Sequence, residues 1–277
     1  RLVVSGKSPL LYPEQFGHAT MGGAFAAQLK QAGFDGIAIT GRSPYPALLV
    51  ITDTGARIER AEDLWGRDTR ETLDAISARY GAGAEAFAIG PAGESQVRFA
   101  LMMGYNGACA GHGFGAVMGA KNLKAVVVPE GPHAVPVARP DELREVNRRI
   151  RSLVHGRQLI DPLVPGLELV RRAPCKGCPV GCARGMFRGV TGEVEHRKNC
   201  ASAYFYSDYD KAYHGGTGSG LSFNATTLAD RLGMCTQEMT KILWWIVECC
   251  SAGILTEEET GLPLSKLGSQ EFLLKFM

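Results

Sequence analysis

The chain has 277 residues, of which 45% are apolar and 21% charged, with a formal net charge of +2. These proportions describe an ordinary globular protein, and so balanced a charge gives no electrostatic reason for nucleic acid or an anionic membrane surface as partner. No apolar run is long enough to span a bilayer, and no charged start with an apolar middle opens the chain as a signal peptide would.

In chain order, residues 1–128 read as glycine-rich and strand-rich. MGGAFAAQLKQAG (21–33) has apolar positions at helical spacing and a glycine stop. GIAITG (36–41) and ALLVITDTGARIE (47–59) read as strands, the second broken by a D-T-G turn. DLWGRDTRETLDAISARYG predicts a helix from Asp68 or Thr69 to Gly81, and AFAIGPAGE and KAVVVPEG predict buried strands ending in turns. The proline-rich segment 129–140 reads as a linker.

Beyond the linker the pattern becomes helical. DELREVNRRIRSL places Leu143, Val146, Ile150 and Leu153 on one helix face. TQEMTKILWWIVECCSAG predicts a helix capped by Thr236 and Gly253, with Trp244 and Trp245 beside Ile242 and Ile246 in its core face. SKLGSQEFLLKFM begins another helix. The expectation is an α+β fold: an N-terminal β-rich cofactor-base domain (1–128), a linker (129–140) and a mainly α-helical domain (141–277). The chain starts at Arg1 and stops within a helical pattern, so a piece of a longer protein is expected.

Eight cysteines are many for a reducing compartment, and three of them form C-x2-C-x3-C at Cys175, Cys178 and Cys182. A disulfide framework belongs to much shorter secreted chains, so clustered thiols in a chain this long read as metal ligands. Structural zinc usually pairs two C-x2-C knuckles, and no second knuckle is present. The spacing therefore favours a 4Fe–4S cluster over zinc or three unrelated thiols. Spacing cannot choose the fourth ligand among Cys109, Cys200, Cys235, Cys249, Cys250 and a residue beyond 277.

Six segments then carry a resemblance, in order along the chain: MGGAFAAQLKQAGFDGIAITGRS, LWGRDTRETLDAI, IGPAGESQVRFA, GFGAVMGAKNLKAVVV, CKGCPVGC and LADRLGMC. Together they resemble the tungsten-containing aldehyde:ferredoxin oxidoreductase family. The resemblance implies a tungsten, or molybdenum, held by two pterins, with a 4Fe–4S cluster that passes electrons to ferredoxin or an iron–sulfur subunit. It implies aldehyde oxidation to carboxylic acids, an anaerobe's cytoplasm and an assembly that is either a homodimer or a hetero-oligomer. It assigns three cluster ligands to Cys175, Cys178 and Cys182 and the fourth to a late D-x-x-G-L-C motif that this chain lacks. DRLGMC matches an earlier copy of that motif, which contacts a pterin through Asp230, Gly233, Met234 and Cys235. Cys235 is also an alternative cluster ligand.

The same resemblance places Gly22 and Gly23 at the pterin phosphates, where glycine lets the backbone approach an anion. Thr20 stands where the family has an asparagine for a phosphate-bound magnesium. In ACAGHGFGAVMG, glycines replace the family's phosphate-binding arginines, and His112 is the candidate substitute; a close-packed turn without a ligand is the competing reading. Glu193, Glu195 and His196 precede the position where aldehyde-oxidising members carry a metal-site carboxylate, and Cys200 falls near it. Glu195 is the candidate carboxylate. A thiolate at Cys200 resembles the benzoyl-CoA reductase branch and gives the alternative of reductive dearomatisation of an aromatic acyl-CoA; a buried structural thiol is the plain reading. His214, before the glycine run HGGTGSG, is a candidate proton donor, or else an ordinary loop histidine. The tyrosines and phenylalanine from Tyr204 to Tyr213 suit either a substrate funnel or a core. The alternative of another class is a non-catalytic electron-transfer or zinc-stabilised module, which predicts neither pterin nor tungsten.

Overall fold

A computed structural model describes residues 1–131, 134–154, 168–179, 184–189, 192, 194–198 and 204–277, with the backbone alone for 195–198. Alternating burial builds an antiparallel hairpin from β1 (Leu2–Ser8) and β2 (Gln15–Met21), with Val3 opposite Thr20. One face of the hairpin buries Met21 and Gly17; the other shows Val3, Phe16, His18 and Thr20 to solvent. The chain turns at Gly22–Gly23 into α1 (Phe25–Gln31).

β3 (Ala47–Thr52) and β4 (Gly55–Arg60) pair across the two-residue turn Asp53–Thr54, as the D-T-G signal predicts. α2 (Thr69–Tyr80) begins at a reciprocal cap. The Asp68 carboxylate accepts the Glu71 N–H at 2.8 Å, and Glu71 accepts the Asp68 N–H at 3.0 Å. β5 (Glu85–Ala88), α3 (Pro91–Glu94), β6 (Met102–Gly104), β7 (Ala108–Ala110), α4 (Phe114–Ala120) and β8 (Leu123–Val128) follow. The mixed sheet runs β4-β3-β8-β5-β6-β7, with β8 parallel to β3 and antiparallel to β5.

Every residue of β8 is buried, Lys124 included, and its run Ala125–Val128 is apolar throughout, as a strand covered on both faces requires. Val126 and Val128 pack into a core with Phe25, Leu29, Phe114 and Met118, so α1 and α4 cover one face. Ala125 and Val127 join Leu73 and Ile76 of α2 on the other. Glycine is needed where α3 meets α4, because a Cβ on Gly119 would stand 1.9 Å from the Gly93 carbonyl oxygen. Gly90 meets the Leu232 carbonyl in the same way, at 2.4 Å.

GIAITG forms no strand. Among the described residues no strand pairs with Ile37 and Ile39, and they line a hollow of about 810 Å³ beside β1, α1 and α4.

The second half begins with α5 (Pro140–Val154), amphipathic as read, yet none of its residues is buried. β9 (Glu168–Arg172), β10 (Arg184–Arg188) and β11 (Val194–Lys198) then form a three-stranded antiparallel sheet inside the segment expected to be mainly helical. The cysteine loop connects β9 to β10, and hairpin pairing rather than helical periodicity organises it. α6 (Ser207–Tyr213), α7 (Leu221–Leu232), α8 (Thr236–Ser251), α9 (Glu257–Thr260) and α10 (Gln270–Phe276) complete the chain. Their shared core includes Phe205, Tyr206, Leu243 and Phe272, and it continues into the first half through Ala92, Ala100 and Ala116.

Two expectations for α8 are corrected. Its N-cap is Cys235, not Thr236, which is buried as the first helical residue and offers its carbonyl to the Thr240 hydroxyl at 2.7 Å; Ala252 rather than Gly253 is its C-cap. Trp244 and Trp245 are 61% and 59% exposed, because the inward stripe is Thr236, Met239 and Leu243 and the tryptophans fall outside it, about 100° and 200° round the helix from Leu243. No helix among the described residues is long and apolar enough to cross a membrane.

Candidate metal and cofactor site

β2 and α1 leave the Gly22–Gly23 turn facing the loop between β9 and β10. Within that loop the Cys178 N–H donates to the Cys175 carbonyl at 3.0 Å, a tight turn that Gly177 completes at φ 74°. Such a turn brings two thiols to one side. Cys175 is half-buried and Cys178 exposed, both as free thiols. The Lys176 N–H donates to the Gly23 carbonyl at 3.2 Å, which locks the loop onto the turn.

The contact at Gly22 leaves no room for a side chain. A Cβ there would stand 2.7 Å from Cys175 Sγ and 3.2 Å from both terminal nitrogens of Arg184. Arg184 is 4% exposed, and its Nη1 donates to Cys175 Sγ at 3.0 Å. Its Nε is buried and meets no acceptor among the described residues. Cys182 and Cys200 lie outside the described residues. Among the described residues no three metal-binding side chains gather, so neither Cys109 nor Cys235, Cys249 or Cys250 completes a set around Cys175 and Cys178.

The DRLGMC segment ends α7. Gly233 caps the helix at φ 77°, and the Met234 N–H returns to the Ala229 carbonyl at 2.8 Å. The turn is sewn to the first half: the Leu101 N–H donates to the Gly233 carbonyl at 2.8 Å, Met234 bridges Ala100, and the Thr69 hydroxyl donates to the Asp230 carbonyl at 2.9 Å. Asp230 thereby joins Arg70, Asp74, Arg231 and the Tyr105–Gly107 turn around a cavity of about 110 Å³. Two guanidiniums beside two carboxylates at the junction of the halves can hold a polar ligand. Sequence reading named only Asp230 of this group. Arg70 sits inside the quoted LWGRDTRETLDAI and Arg231 inside LADRLGMC, but neither segment marks which side chain turns inward.

The comparisons agree with this architecture. The family model for the N-terminal domain of aldehyde ferredoxin oxidoreductase matches residues 1–130, and that for its domains 2 and 3 matches residues 166–277. The chain belongs to the aldehyde ferredoxin oxidoreductase family. It is 31% identical to the tungsten-containing aldehyde ferredoxin oxidoreductase of Pyrococcus abyssi, over 99% of this chain and 51% of that protein. The corresponding protein of Thermococcus kodakarensis is 30% identical with the same coverage. The WOR-like subunit of aliphatic sulfonate oxidoreductase from Pyrococcus furiosus is 26% identical over 86% of this chain and 46% of that protein. In three dimensions the chain is similar to the active-site complex BamBC of benzoyl coenzyme A reductase, solved with 1,5-dienoyl-CoA. The TM-score is 0.81 at 23% identity, covering 99% of this chain and 48% of that one, a likeness of fold. The chain thus spans about half the length of the curated relatives it matches.

The remaining family-matched positions are placed as follows. Thr20 lies on the exposed face of the hairpin, next to buried Met21. His112 takes the left-handed conformation at φ 58°, accepts the Ser8 hydroxyl on its carbonyl at 2.7 Å and stacks 6.5 Å from His18. Two of the glycines near it have packing reasons, since a Cβ on Gly113 would stand 2.3 Å from the Arg98 carbonyl and one on Gly115 2.6 Å from that of Leu101, whereas a Cβ on Gly111 would meet open space. Glu195 sits on β11 opposite Phe187 of β10, and Arg70 donates to the Val194 carbonyl beside it at 3.3 Å. Glu193 lies outside the described residues, as do the side chains of Glu195 and His196.

His214 ends α6 with its Nδ1 3.0 Å from Asp210 Oδ1. The Ser219 hydroxyl donates to the same oxygen at 2.6 Å and the Ser219 N–H at 3.1 Å. Burial pushes the Asp210 carboxyl up, but the hydrogen bonds from Ser219 and Ser222 and the nearby His214 outweigh it and hold it below the usual range. This is an oriented carboxylate–imidazole pair, and its hydrogen bonds run within α6 and the glycine loop rather than to the cysteine loop. Phe205 and Tyr206 are core residues; Tyr204 and Tyr213 remain exposed.

Proposed function

We propose that the chain carries the cofactor-holding part of a tungsten, or molybdenum, bis-pterin oxidoreductase with a 4Fe–4S cluster. It oxidises aldehydes to carboxylic acids and passes electrons to ferredoxin or an iron–sulfur subunit. The observation that carries the reading is the seat of Cys175 against Gly22. It sets a thiol of metal-ligand spacing on the glycine turn that the family uses for pterin phosphates.

The residues fit these groups. The tight turn ties the backbone of Cys178 to that of Cys175, and the buried guanidinium of Arg184 with its unmet Nε suits a centre that carries negative charge. Cys182 would be the third ligand. Gly22, Gly23, Asp230, Gly233, Met234 and Cys235, with Thr20 and His112, would line the pterins and a magnesium at their phosphates. When bound, the metal–pterin centre would exchange two electrons with substrate and the cluster would relay them singly. The chain's own part is positional. The contact between Gly22 and Cys175 sets the phosphate turn and the cluster loop side by side, and the cavity at Asp230 closes the junction between the halves. Asp210 holds His214 Nδ1, leaving Nε2 as the atom that gives or takes a proton. Glu195 would supply the carboxylate. The exposed Cys178 makes such a cluster sensitive to oxygen and suits an anaerobe's cytoplasm.

Cys200 favours a second reading, reduction of an aromatic acyl-CoA, because a soft thiolate there replaces the carboxylate of aldehyde-oxidising members. The deciding experiment is elemental analysis of the protein purified without oxygen from its own host. The expected result is about one tungsten or molybdenum and about four irons per chain. Zinc alone, or iron without either heavy metal, sinks the catalytic reading and leaves a structural or electron-carrying module. Activity of the same preparation on an aldehyde against an aromatic acyl-CoA then separates the two substrate readings.

A further inference from the structure

We infer that Arg184 is a positioning residue that holds the ligating sulfur of Cys175 against the Gly22 turn and raises the reduction potential of the cluster bound there. The inference rests on the 4Fe–4S reading above.

Arg184 opens β10, and its carbonyl accepts the Ala173 N–H at 3.0 Å, so the strand start and the approach to Cys175 are fixed to each other. Its guanidinium is permanently charged and almost wholly buried, at 4% exposure. A buried cation is costly unless negative charge compensates it. Among the described residues no carboxylate lies within ion-pair distance of Arg184, and its Nε has no acceptor. The electron-rich atom it does meet is Cys175 Sγ, 3.0 Å from Nη1. Gly22 closes the other side, with both terminal nitrogens 3.2 Å from the place a Cβ would occupy. The guanidinium is thus pinned between the sulfur and the turn, and no other described group explains its burial.

A cation and an N–H···S bond at a ligating sulfur favour the more negative state of an iron–sulfur cluster. The one-electron couple is therefore easier to reduce with Arg184 in place. Because the same side chain touches Gly22, it also fixes how closely the cluster loop approaches the phosphate turn.

The test compares the anaerobically purified holoenzyme with Arg184→Met and Arg184→Lys. Iron is counted per chain, and the midpoint potential of the cluster is read by electron paramagnetic resonance during a mediated titration with dithionite. The Met variant keeps the stem and removes the charge; it should retain iron and shift to lower potential. The shift should be at least tenfold in the oxidised-to-reduced ratio at fixed potential, about 59 mV for one electron. The Lys variant keeps charge but loses the fork, and should shift in the same direction by less. A Met variant with full iron and the wild-type potential overturns the inference, since a purely structural arginine would change stability and not potential. If the Met variant fails to hold iron, an unchanged potential in the Lys variant does the same. A wild-type protein with iron but no cluster signal, or with no iron, overturns the cluster reading itself.

Discussion

Glu85, at the start of β5, lies near Lys176 of the cysteine loop. Burial pushes its carboxyl up to about 7 from an ordinary 4.5, with Lys176 pulling the other way. Between those values the folded chain keeps a proton that the unfolded chain has released. Stability from this group is therefore complete below about pH 4.5 and is lost as pH rises through about 7. Glu85→Gln should flatten that slope, a difference of about 1 kcal/mol by pH 8 once solvent screening of a half-buried group is allowed for. Urea denaturation of both proteins from pH 5 to 8 measures it; parallel curves would show that Glu85 is not held protonated. None of this is visible in the sequence, where Glu85 is one acid at the edge of an apolar run. The close glycines are similar. AFAIGPAGE reads as a strand ending in a turn and ACAGHGFGAVMG as a glycine-rich turn, whereas the contacts at Gly90, Gly93 and Gly119 make these glycines sites where backbones touch.

At the scale of elements, the sheet and its helices are tied by one buried ion pair. Lys124 of β8 is fully buried and meets the Glu94 carboxylate of α3. The Lys124 amine also donates to the Arg67 carbonyl at 2.7 Å, and Glu94 accepts the Gly66 N–H at 2.8 Å. Burial holds the Lys124 amine below the usual lysine range, opposed by Glu94. Three segments thus meet at two side chains. Glu94→Gln leaves a buried cation without its partner and should cost about 3–5 kcal/mol, whereas adding Lys124→Met should recover much of that loss. Chemical denaturation of the two single variants and the double variant decides it. Additive losses would mean that the pair does not act as a unit. The sequence shows KAVVV as a buried strand with a lysine at its start. Only the placement of α3 over that end explains why the lysine goes inward.

For the molecule as a whole, three cores cover the sheet and the helices, yet several apolar faces stay outside them. Leu143, Val146, Ile150 and Leu153 of α5 are each between 39% and 65% exposed, and Trp244 and Trp245 of α8 are similarly open. Since Leu153 packs into none of the three cores, Leu153→Lys should change the thermal stability of this chain by less than about 0.5 kcal/mol. A loss several times larger would show that α5 is held by residues of this chain. The contrast with Leu73, the same residue type but on the face of α2 that packs against the sheet, is one of placement alone.

The sequence by itself determined the local elements whose signals are local: the helix that starts at Asp68 or Thr69, the Asp53–Thr54 hairpin, the buried run of β8 and the tight Cys175–Cys178 turn. Each follows from neighbours a few residues apart, through backbone geometry and hydrophobic period. It also carried the family, because the order of six segments survives where single motifs are weak. What only the tertiary structure decided lies between distant residues. Periodicity says that a helix has an apolar face but not which neighbour covers it, so the pattern that predicts Trp244 inward leaves it outward. A strand needs a partner, so 36–41 did not become one. Gly22 stands more than 150 residues before Cys175 and Arg184, and no spacing rule joins it to them. They meet because β2 and the β9–β10 loop pack together, and at that contact burial of charge, rather than sequence, selects the residue.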